Sequence, residues 1–325
     1  MDRLTSLEVF VAAVEAGSLV GAARRFGLSP SMAGKHVAAI EAQLNARLLQ
    51  RSTRALRMTD TGQAYYVRCK RILEQYQEAQ WEAGAAQDSV RGVLRVAAPV
   101  TFGAMHLGGV IAGYLAAHPD VTVETTLSDR YSDLLAEGID IAIRIGRLPD
   151  SDMVARRLAP CRMVFCASPA FLARYGVPET AEALCVAPRL TFSNAVSAGD
   201  WTITDPSGRA RVIDGPIRLA ADNMQMLLAA ALAGAGVAYG PSFVFGESIA
   251  GGDLVVLLPD HRTSELATHA VYPTKRHVSL KLRRFIEHLR ASFGDVPSWD
   301  LRRGSESGLF GLHKARGNRR LVRVV

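Results

Sequence analysis

Two serines and a lysine near residue 30 could contact nucleic acid. In AARRFGLSPSMAGKHV (residues 22–37), Ser29 is a helix N-cap and Pro30 fits the first helical position, where its missing N–H costs nothing. Ser31 and Lys35 then lie on the polar side of the helix, where a hydroxyl and an ammonium can meet base edges and phosphates. Gly34 keeps this part of the helix slender enough for a major groove. The candidate DNA-binding residues of the helix are Ser29, Pro30, Ser31, Met32, Gly34, Lys35 and His36.

Two earlier helices must hold this helix in place. Thr5 and Glu8 fit a capping box at the start of the first helix, and Gly17 ends it. Ser18 caps a second short helix, which Gly27 closes. On the third helix an apolar stripe runs through Ala33, Val37, Ile40 and Leu44. The arrangement predicts a helix-turn-helix, although the pattern alone also fits a plain three-helix packing unit.

A basic segment follows directly. LLQRSTRALRMT (residues 48–59) places three arginines and several hydroxyls in a predicted hairpin, with Arg51, Thr53 and Arg54 as candidate contacts. Such a wing would lie along the phosphate backbone, although a solvated charged face is the ordinary alternative. Residues 1–60 are therefore predicted to form a winged helix-turn-helix, all-α apart from the wing.

The next predicted element, over residues 61–91, is a long linker helix that Asp60 caps. Its apolar residues recur at alternating steps of four and three, the spacing of a coiled-coil seam: Tyr65, Cys69, Ile72, Tyr76, Ala79 and Ala83. This spacing favours a homodimer through the linker helix, with a homotetramer left open. The alternative is an amphipathic helix that packs on the core of its own chain.

The charge distribution and the cysteine content limit which class of protein the chain can be. Of the formal charge of +7, the excess lies at the two ends, since residues 1–60 hold eight Lys/Arg against five Asp/Glu and residues 295–325 hold seven against three. A polyanion would therefore meet the ends and not the neutral middle. The four cysteines lack zinc-finger spacing and are predicted to be reduced cytosolic thiols. Two long uncharged runs contain glycines, so they predict helices joined to turns rather than membrane spans, and we expect a cytoplasmic protein without a membrane partner.

Residues 92–294 predict an α/β domain with a mostly parallel sheet. Strands are expected over 92–98, 121–127 and 139–145, with helices between them and a closing amphipathic helix over 282–293. The run AGAGVAYG (residues 233–240) has glycines that follow a helix and precede a strand, the reverse of a dinucleotide loop. No catalytic motif or metal spacing is found, so no enzyme, cofactor or metal site is predicted.

These motifs together resemble the LysR-type transcriptional regulators. The resemblance runs through residues 4–44, 48–62 and 133–158 to about residue 293, carried by stretches such as DLLAEGIDIAIRIGRLPDSDMVARRL and ALAGAGVAYGPSFV. It implies DNA contacts at Ser31, Lys35, Arg51, Thr53 and Arg54. The sequence departs from the family at Asn45, where a glycine is frequent, and at Gly34, where a serine often faces DNA.

The resemblance also implies that the C-terminal domain has two lobes, like a type 2 periplasmic binding protein. Lobe one would be residues 92–161 plus 266–294, and lobe two residues 162–265, with crossings near 161 and 266. A small-molecule effector, with a carboxylate as one candidate class, would bind between the lobes, where strand ends and helix N-termini meet. Thr101 is either a contact or only an N-cap, and Asn223 either faces the cleft or caps a helix. The candidate effector residues are Thr101, Phe102, Ser128, Arg144, Arg147 and Asn223.

The sequence thus predicts a DNA-binding transcriptional regulator controlled by a small molecule. A cytosolic solute-binding protein and an enzyme with a DNA-binding appendix are the alternatives. Residues 295–325 depart from the family, and their Gly, Ser and Arg content predicts a basic, disordered tail.

Overall fold

The computed structural model describes residues 2–51, 56–83, 90–130, 133–149, 151–193, 201–273 and 278–300. The chain forms two compact units, Met1–Val93 and Leu94–Val325.

The N-terminal unit is a helical domain with a hairpin. Its elements in chain order are α1 (Arg3–Glu15), α2 (Leu19–Arg25), α3 (Pro30–Leu44), β1 (Leu49–Arg51), β2 (Leu56–Met58) and α4 (Asp60–Ala83).

Local capping signals fix where these helices begin. The predicted caps Ser18 and Ser29 are confirmed, since their hydroxyls accept hydrogen bonds from Gly21 N and Met32 N. The predicted cap Thr5 is wrong. Asp2 takes that role, because its carboxylate accepts from Thr5 N at 2.9 Å and α1 starts three residues earlier than predicted.

The core of this unit lies between α1, α3 and the start of α4. Phe10, Val37, Ile40 and Leu48 are buried together. The predicted stripe of α3 ends at Ile40, because Leu44 is exposed at the last turn.

The end of α3 is tied to the hairpin and to α4. Asn45 ends α3 in the left-handed conformation (φ 48°), which explains why a glycine is dispensable there. The Glu41 carboxylate accepts from Leu48 N at 2.7 Å and Leu49 N at 3.0 Å. Gly62 lies so close to Leu48 that a Cβ would be 2.0 Å from its carbonyl oxygen. Helix α4 therefore begins in direct backbone contact with the chain that precedes β1.

The C-terminal unit is an α/β domain. Its helices are α5 (Val100–Phe102), α6 (Gly108–Ala117), α7 (Leu134–Glu137), α8 (Pro169–Tyr175), α9 (Ala181–Cys185), α10 (Met224–Leu232), α11 (Ser242–Gly251) and α12 (Leu280–Phe293), with a π turn at Gly103–Leu107 and a 3₁₀ turn at Ser298–Asp300. Its strands are β3 (Gly92–Ala98), β4 (Val121–Leu127), β5 (Ile141–Ile145), β6 (Met153–Ala167), β7 (Arg189–Phe192), β8 (Trp201–Thr204), β9 (Ala210–Ile213), β10 (Ile217–Ala221), β11 (Val237–Pro241), β12 (Val255–Val256), β13 (Arg262–Thr263) and β14 (Glu265–Pro273). The predicted strand over 139–145 begins two residues later than expected, and the closing helix begins two residues earlier.

Two long strands join the halves of the main sheet, whose order is β10-β7-β11-β6-β14-β5-β3-β4. Strand β6 pairs with β14 from Met153 to Arg162 and with β11 from Met163 to Cys166. The first lobe contains β3, β4 and β5 with α5, α6, α7 and α12, and the second contains β7, β10 and β11 with α8 to α11. Cys161 lies opposite Leu266 where the two strands pass between the lobes.

The start of the C-terminal tail is folded, contrary to the prediction of disorder over 295–325. Pro297, Trp299 and Asp300 are buried, and Ser298–Asp300 forms the 3₁₀ turn. The ring of Trp299 and the carboxylate of Asp300 contact residues that are distant in the sequence. The remaining tail, 301–325, lies outside the described residues.

Candidate DNA-binding surface and effector cleft

The N-terminal face of α3 is exposed and slender. Ser29 Oγ accepts from Met32 N at 3.2 Å, and Pro30 occupies the first helical position. Ser31, Met32 and Lys35 point to solvent, whereas Ala33 and Val37 anchor the opposite side. Because the helix N-terminus is also the positive end of its dipole, this face favours negatively charged ligands.

His36 does not belong to this exposed face, so its predicted DNA contact is wrong. The residue is only 7% exposed, and Nδ1 lies 2.9 Å from Ser6 Oγ. The Ser6 hydroxyl donates its one proton to Asp2 O at 2.8 Å, so the imidazole donates through Nδ1–H. His36 thus joins α3 to α1.

The hairpin gives a second basic surface beside α3. Its register pairs Gln50 with Arg57 and Arg51 with Leu56. Arg57, exposed on β2, and Arg47, exposed just before β1, add two positive charges that the predicted site omitted. Both lie in the arginine-rich stretch, but their exposure depends on the hairpin register.

Part of the predicted wing cannot be placed. The backbone of Arg51 ends β1, but its side chain, Thr53 and Arg54 lie outside the described residues.

Helix α4 presents two different environments along its predicted seam. Tyr65 packs on Phe10 with ring centroids 5.7 Å apart, and Cys69 is buried in the core of the N-terminal unit. Burial raises the pKa of the Cys69 thiol to about 11. One and two turns later, Ile72 and Tyr76 are 47% and 44% exposed. The seam therefore starts as core and continues as an exposed apolar edge.

The ends of the parallel strands meet where the two lobes join. In the first lobe, Thr101 follows β3 and is 3% exposed. It is not the helix cap, since Pro99 holds that position. Its Oγ1 is buried and, among the residues that the structure describes, has no hydrogen-bond partner. A buried hydroxyl of this kind is a candidate for contact with a ligand.

The other predicted polar residues differ in which of their side-chain atoms already have a hydrogen-bond partner within the protein. Ser128 Oγ accepts from Arg130 N at 3.2 Å, and buried Arg144 donates to Arg130 O at 3.5 Å. Arg147 is exposed just beyond β5. Asn223 Oδ1 caps α10 by accepting from Gln225 N and Met226 N, which leaves only its amide NH₂ for an effector.

Phe102 is a packing residue, which corrects its predicted role as an effector contact. Its side chain is fully buried and sits in an aromatic cluster with His106, Phe243 and Phe293. A fully buried ring offers a ligand no surface.

Three further polar residues near strand ends were not predicted from the sequence. Thr268 lies opposite Ile145 at the end of β5, and Thr191 lies one residue before the end of β7. Both hydroxyls are buried and, within the described parts of the chain, unpaired. Asp129 Oδ1 accepts from Val100 N at 3.1 Å. Its pKa is raised chiefly by burial, and the charge of Asp222 in the second lobe adds to that rise. Threonines within strands give no recognisable sequence signal, since their role depends on which strand ends come together.

No group of three or more His, Cys, Asp or Glu side chains able to hold a metal ion occurs within the described ranges. Val100–Ala117 is long and apolar enough to cross a membrane by length and composition alone. Phe102, Leu107 and Tyr114 of this segment are nevertheless buried in the domain, and Tyr114 donates to Lys281 O at 2.7 Å. The segment is therefore a helix of the first lobe.

Comparison with known proteins matches both units to one family. Residues 4–63 match the "Bacterial regulatory helix-turn-helix protein, lysR family" model, and residues 87–294 match the "LysR substrate binding domain" model. Together the fold and these matches define a DNA-binding transcriptional regulator with an effector-binding domain. The chain belongs to the LysR family.

Several relatives cover almost the whole chain. A transcriptional repressor from Pseudomonas aeruginosa is 32% identical over 93% of this chain and 95% of its own. The transcriptional activator AaeR of Escherichia coli is 32% identical over 91% of this chain and 96% of its own. Among solved structures, the regulator CrgA of Neisseria meningitidis superposes with a TM-score of 0.59 at 30% identity, covering 89% of this chain and 98% of its own.

Proposed function

We propose that this protein reads a specific operator through the N-terminal face of α3, as a homodimer, under the control of an effector bound between the lobes. The observation that carries the proposal is the exposure of Ser31 and Lys35 on a slender, capped helix whose other side is fixed in the core. Gly34, Met32 and the Ser29–Pro30 start let the backbone approach the base edges.

The wing supplies affinity without sequence information. Arg51, Thr53 and Arg54 contact phosphates in this proposal, and Arg47 and Arg57 extend the same basic surface. Such contacts fix the register of the protein on the duplex.

The dimer forms through α4. Its exposed apolar residues Ile72 and Tyr76 continue the predicted seam directly after buried Cys69. A second copy of α4 would cover them and place two α3 helices on one face of the DNA. A tetramer would need further contacts outside α4.

The effector binds at the strand ends of both lobes. Thr101, Thr191 and Thr268 offer buried hydroxyls, and Arg144 supplies a positive charge beside Ser128, with Arg147 at the rim. A small molecule with a carboxylate satisfies both kinds of group. Its binding acts by changing the balance between two lobe arrangements, and the protein performs no catalysis and works in the cytoplasm.

Binding to the DNA upstream of the protein's own gene tests direct readout. The Ser31→Ala and Lys35→Ala variants should each lose more affinity for this DNA than for unrelated duplex, because base contacts carry the specificity. An equal loss on both DNAs would contradict readout by these two residues.

A further inference from the structure

Three of the four residues of the segment 297–300, the clasp, are buried, although the segment lies beyond the residues that match the family model. It follows α12, after Gly294 has turned the chain (φ 62°). Trp299 is 7% exposed and Asp300 is fully buried. A short stretch in a basic, Gly- and Ser-rich tail would be expected in solvent, so its burial calls for specific partners.

Trp299 touches both lobes at once. In the first lobe its ring centroid lies 5.9 Å from that of Phe102, 4.6 Å from that of His106 and 5.6 Å from that of Phe293. In the second lobe it lies 6.3 Å from the ring of Phe243 on α11. Aromatic pairs in this distance range add stabilisation beyond the apolar area that they bury.

The backbone of the clasp also presses on the second lobe. A Cβ on Gly246 of α11 would lie 2.1 Å from the carbonyl oxygen of Trp299. Only glycine therefore allows α11 and the clasp to approach this closely. Beside it, His106 Nε2 donates to Phe243 O at 2.8 Å, a direct hydrogen bond from the first lobe to the second.

Asp300 fixes the clasp to the strand that passes between the lobes. Arg162 Nη1 donates to Asp300 Oδ2 at 2.9 Å. In the strand register, Arg162 of β6 lies opposite Glu265 of β14, the other strand that crosses between the lobes. Burial raises the pKa of the Asp300 carboxyl, and the neighbouring Ser242 side chain at the start of α11 partly offsets that rise. A buried carboxylate is tolerated only with such partners, so Asp300 specifies one position for the clasp.

We propose that the clasp locks the two lobes together beside the crossing strands and restrains the lobe movement through which an effector acts. The second half of this proposal rests on the proposed function. Phe102 lies directly after the candidate effector residue Thr101, and Phe243 lies on α11, so any effector-induced movement of α5 relative to α11 must disturb the packing around Trp299.

Hydrogen exchange of the protein in the absence of DNA and effector tests the lock. Three chains are compared: the full chain, one that ends at Val296, and a control that ends at Asp300 and so keeps the clasp but lacks the basic tail. In the chain ending at Val296, amides of Gly103–Leu107 and Ser242–Gly251 should exchange at least about tenfold faster, while β5 and β7 keep their rates. The control should match the full chain.

Two results would overturn the lock. One is unchanged exchange in both clasp-facing segments. The other is equal acceleration throughout the domain, which would mean that the clasp supports general stability. If the chain ending at Val296 does not fold, Trp299→Ala in the full chain should give the same local acceleration, and its absence would be equally decisive.

The regulatory half is read from the DNase I footprint on the DNA upstream of the gene. The chain ending at Val296 should protect the same half-sites as the control but change the cleavage between them, and identical footprints would overturn this half. Absence of a footprint from every chain, including the full one, would overturn the proposed function together with the regulatory half. The exchange rates would still decide whether the lobes are locked.

Discussion

Adjacent residues on α3 should respond to alanine in opposite ways. Lys35 is exposed, whereas His36 is buried and bonded to Ser6. Lys35→Ala should weaken specific DNA binding and leave stability almost unchanged. His36→Ala should lower the stability of the N-terminal unit and leave the DNA affinity of the folded protein almost unchanged.

The magnitude for His36→Ala follows from its contacts. The lost hydrogen bond costs about 1 kcal/mol net, and removal of a buried ring adds about 1 kcal/mol or more. Because the Ser6 hydroxyl still donates to Asp2 O, no buried donor is left unpaired. A total of about 2 kcal/mol corresponds to an acceleration of about 30-fold for amides that exchange through opening of the whole unit.

Hydrogen exchange of α1 and α3 in the full chain measures this effect, with DNA affinity measured in parallel. For Lys35→Ala we expect a change in stability within about 0.5 kcal/mol. Its specific affinity should fall about tenfold or more, as for loss of a base contact. If His36→Ala binds specific DNA as weakly as Lys35→Ala while its amide exchange stays at the wild-type rate, His36 contacts DNA and does not hold α3 to α1.

Three further predictions concern the wing, the dimer and the thiols. Replacing Arg51 and Arg54 together with alanine should make the dependence of log affinity on log salt concentration shallower by about two units, and an unchanged slope would remove the wing from the account. Ile72→Glu should dissociate the dimer in sedimentation experiments because it places a charge in the seam, whereas Gln77→Glu, exposed on the side of α4 that faces away from the seam, should not; dissociation by both or by neither would contradict a dimer through this face. A thiol reagent at pH 8 should modify half-buried Cys185 first, because burial keeps the pKa of the other three thiols above 9 and holds them protonated; rapid reaction of more than one thiol in the native protein would count against this burial.

Features that depend on a few neighbouring residues were predictable from the sequence. Ser18 and Ser29 cap helices through hydrogen bonds from amides three residues ahead. The alternating residue pattern over 121–127 predicted the strand found there from local sequence alone. The α/β class also followed from strands that alternate with helices, but the antiparallel pairing of β6 and β14 in a sheet predicted to be mostly parallel did not. The two lobes were expected only from the family resemblance.

Features that depend on distant partners could not be predicted. His36 lies at a core position of α3, three residues after Ala33, but its polarity suggested the surface because its partner Ser6 is on another helix. The same holds for Asp300, whose partner Arg162 is 138 residues away. In both cases a polar residue is buried because a specific second residue satisfies it, and the sequence near it does not contain that residue.

A DNase I footprint of the full-length protein on the DNA upstream of its own gene tests most directly whether the protein binds a specific operator as a homodimer. It is made at several salt concentrations with unrelated DNA in excess. A homodimer that presents two α3 helices should protect two half-sites whose centres lie about 34 Å or a multiple of it apart, and the protection should survive the competitor. Protection that the competitor abolishes at every salt concentration would contradict sequence-specific binding and leave only phosphate contacts by the basic surfaces.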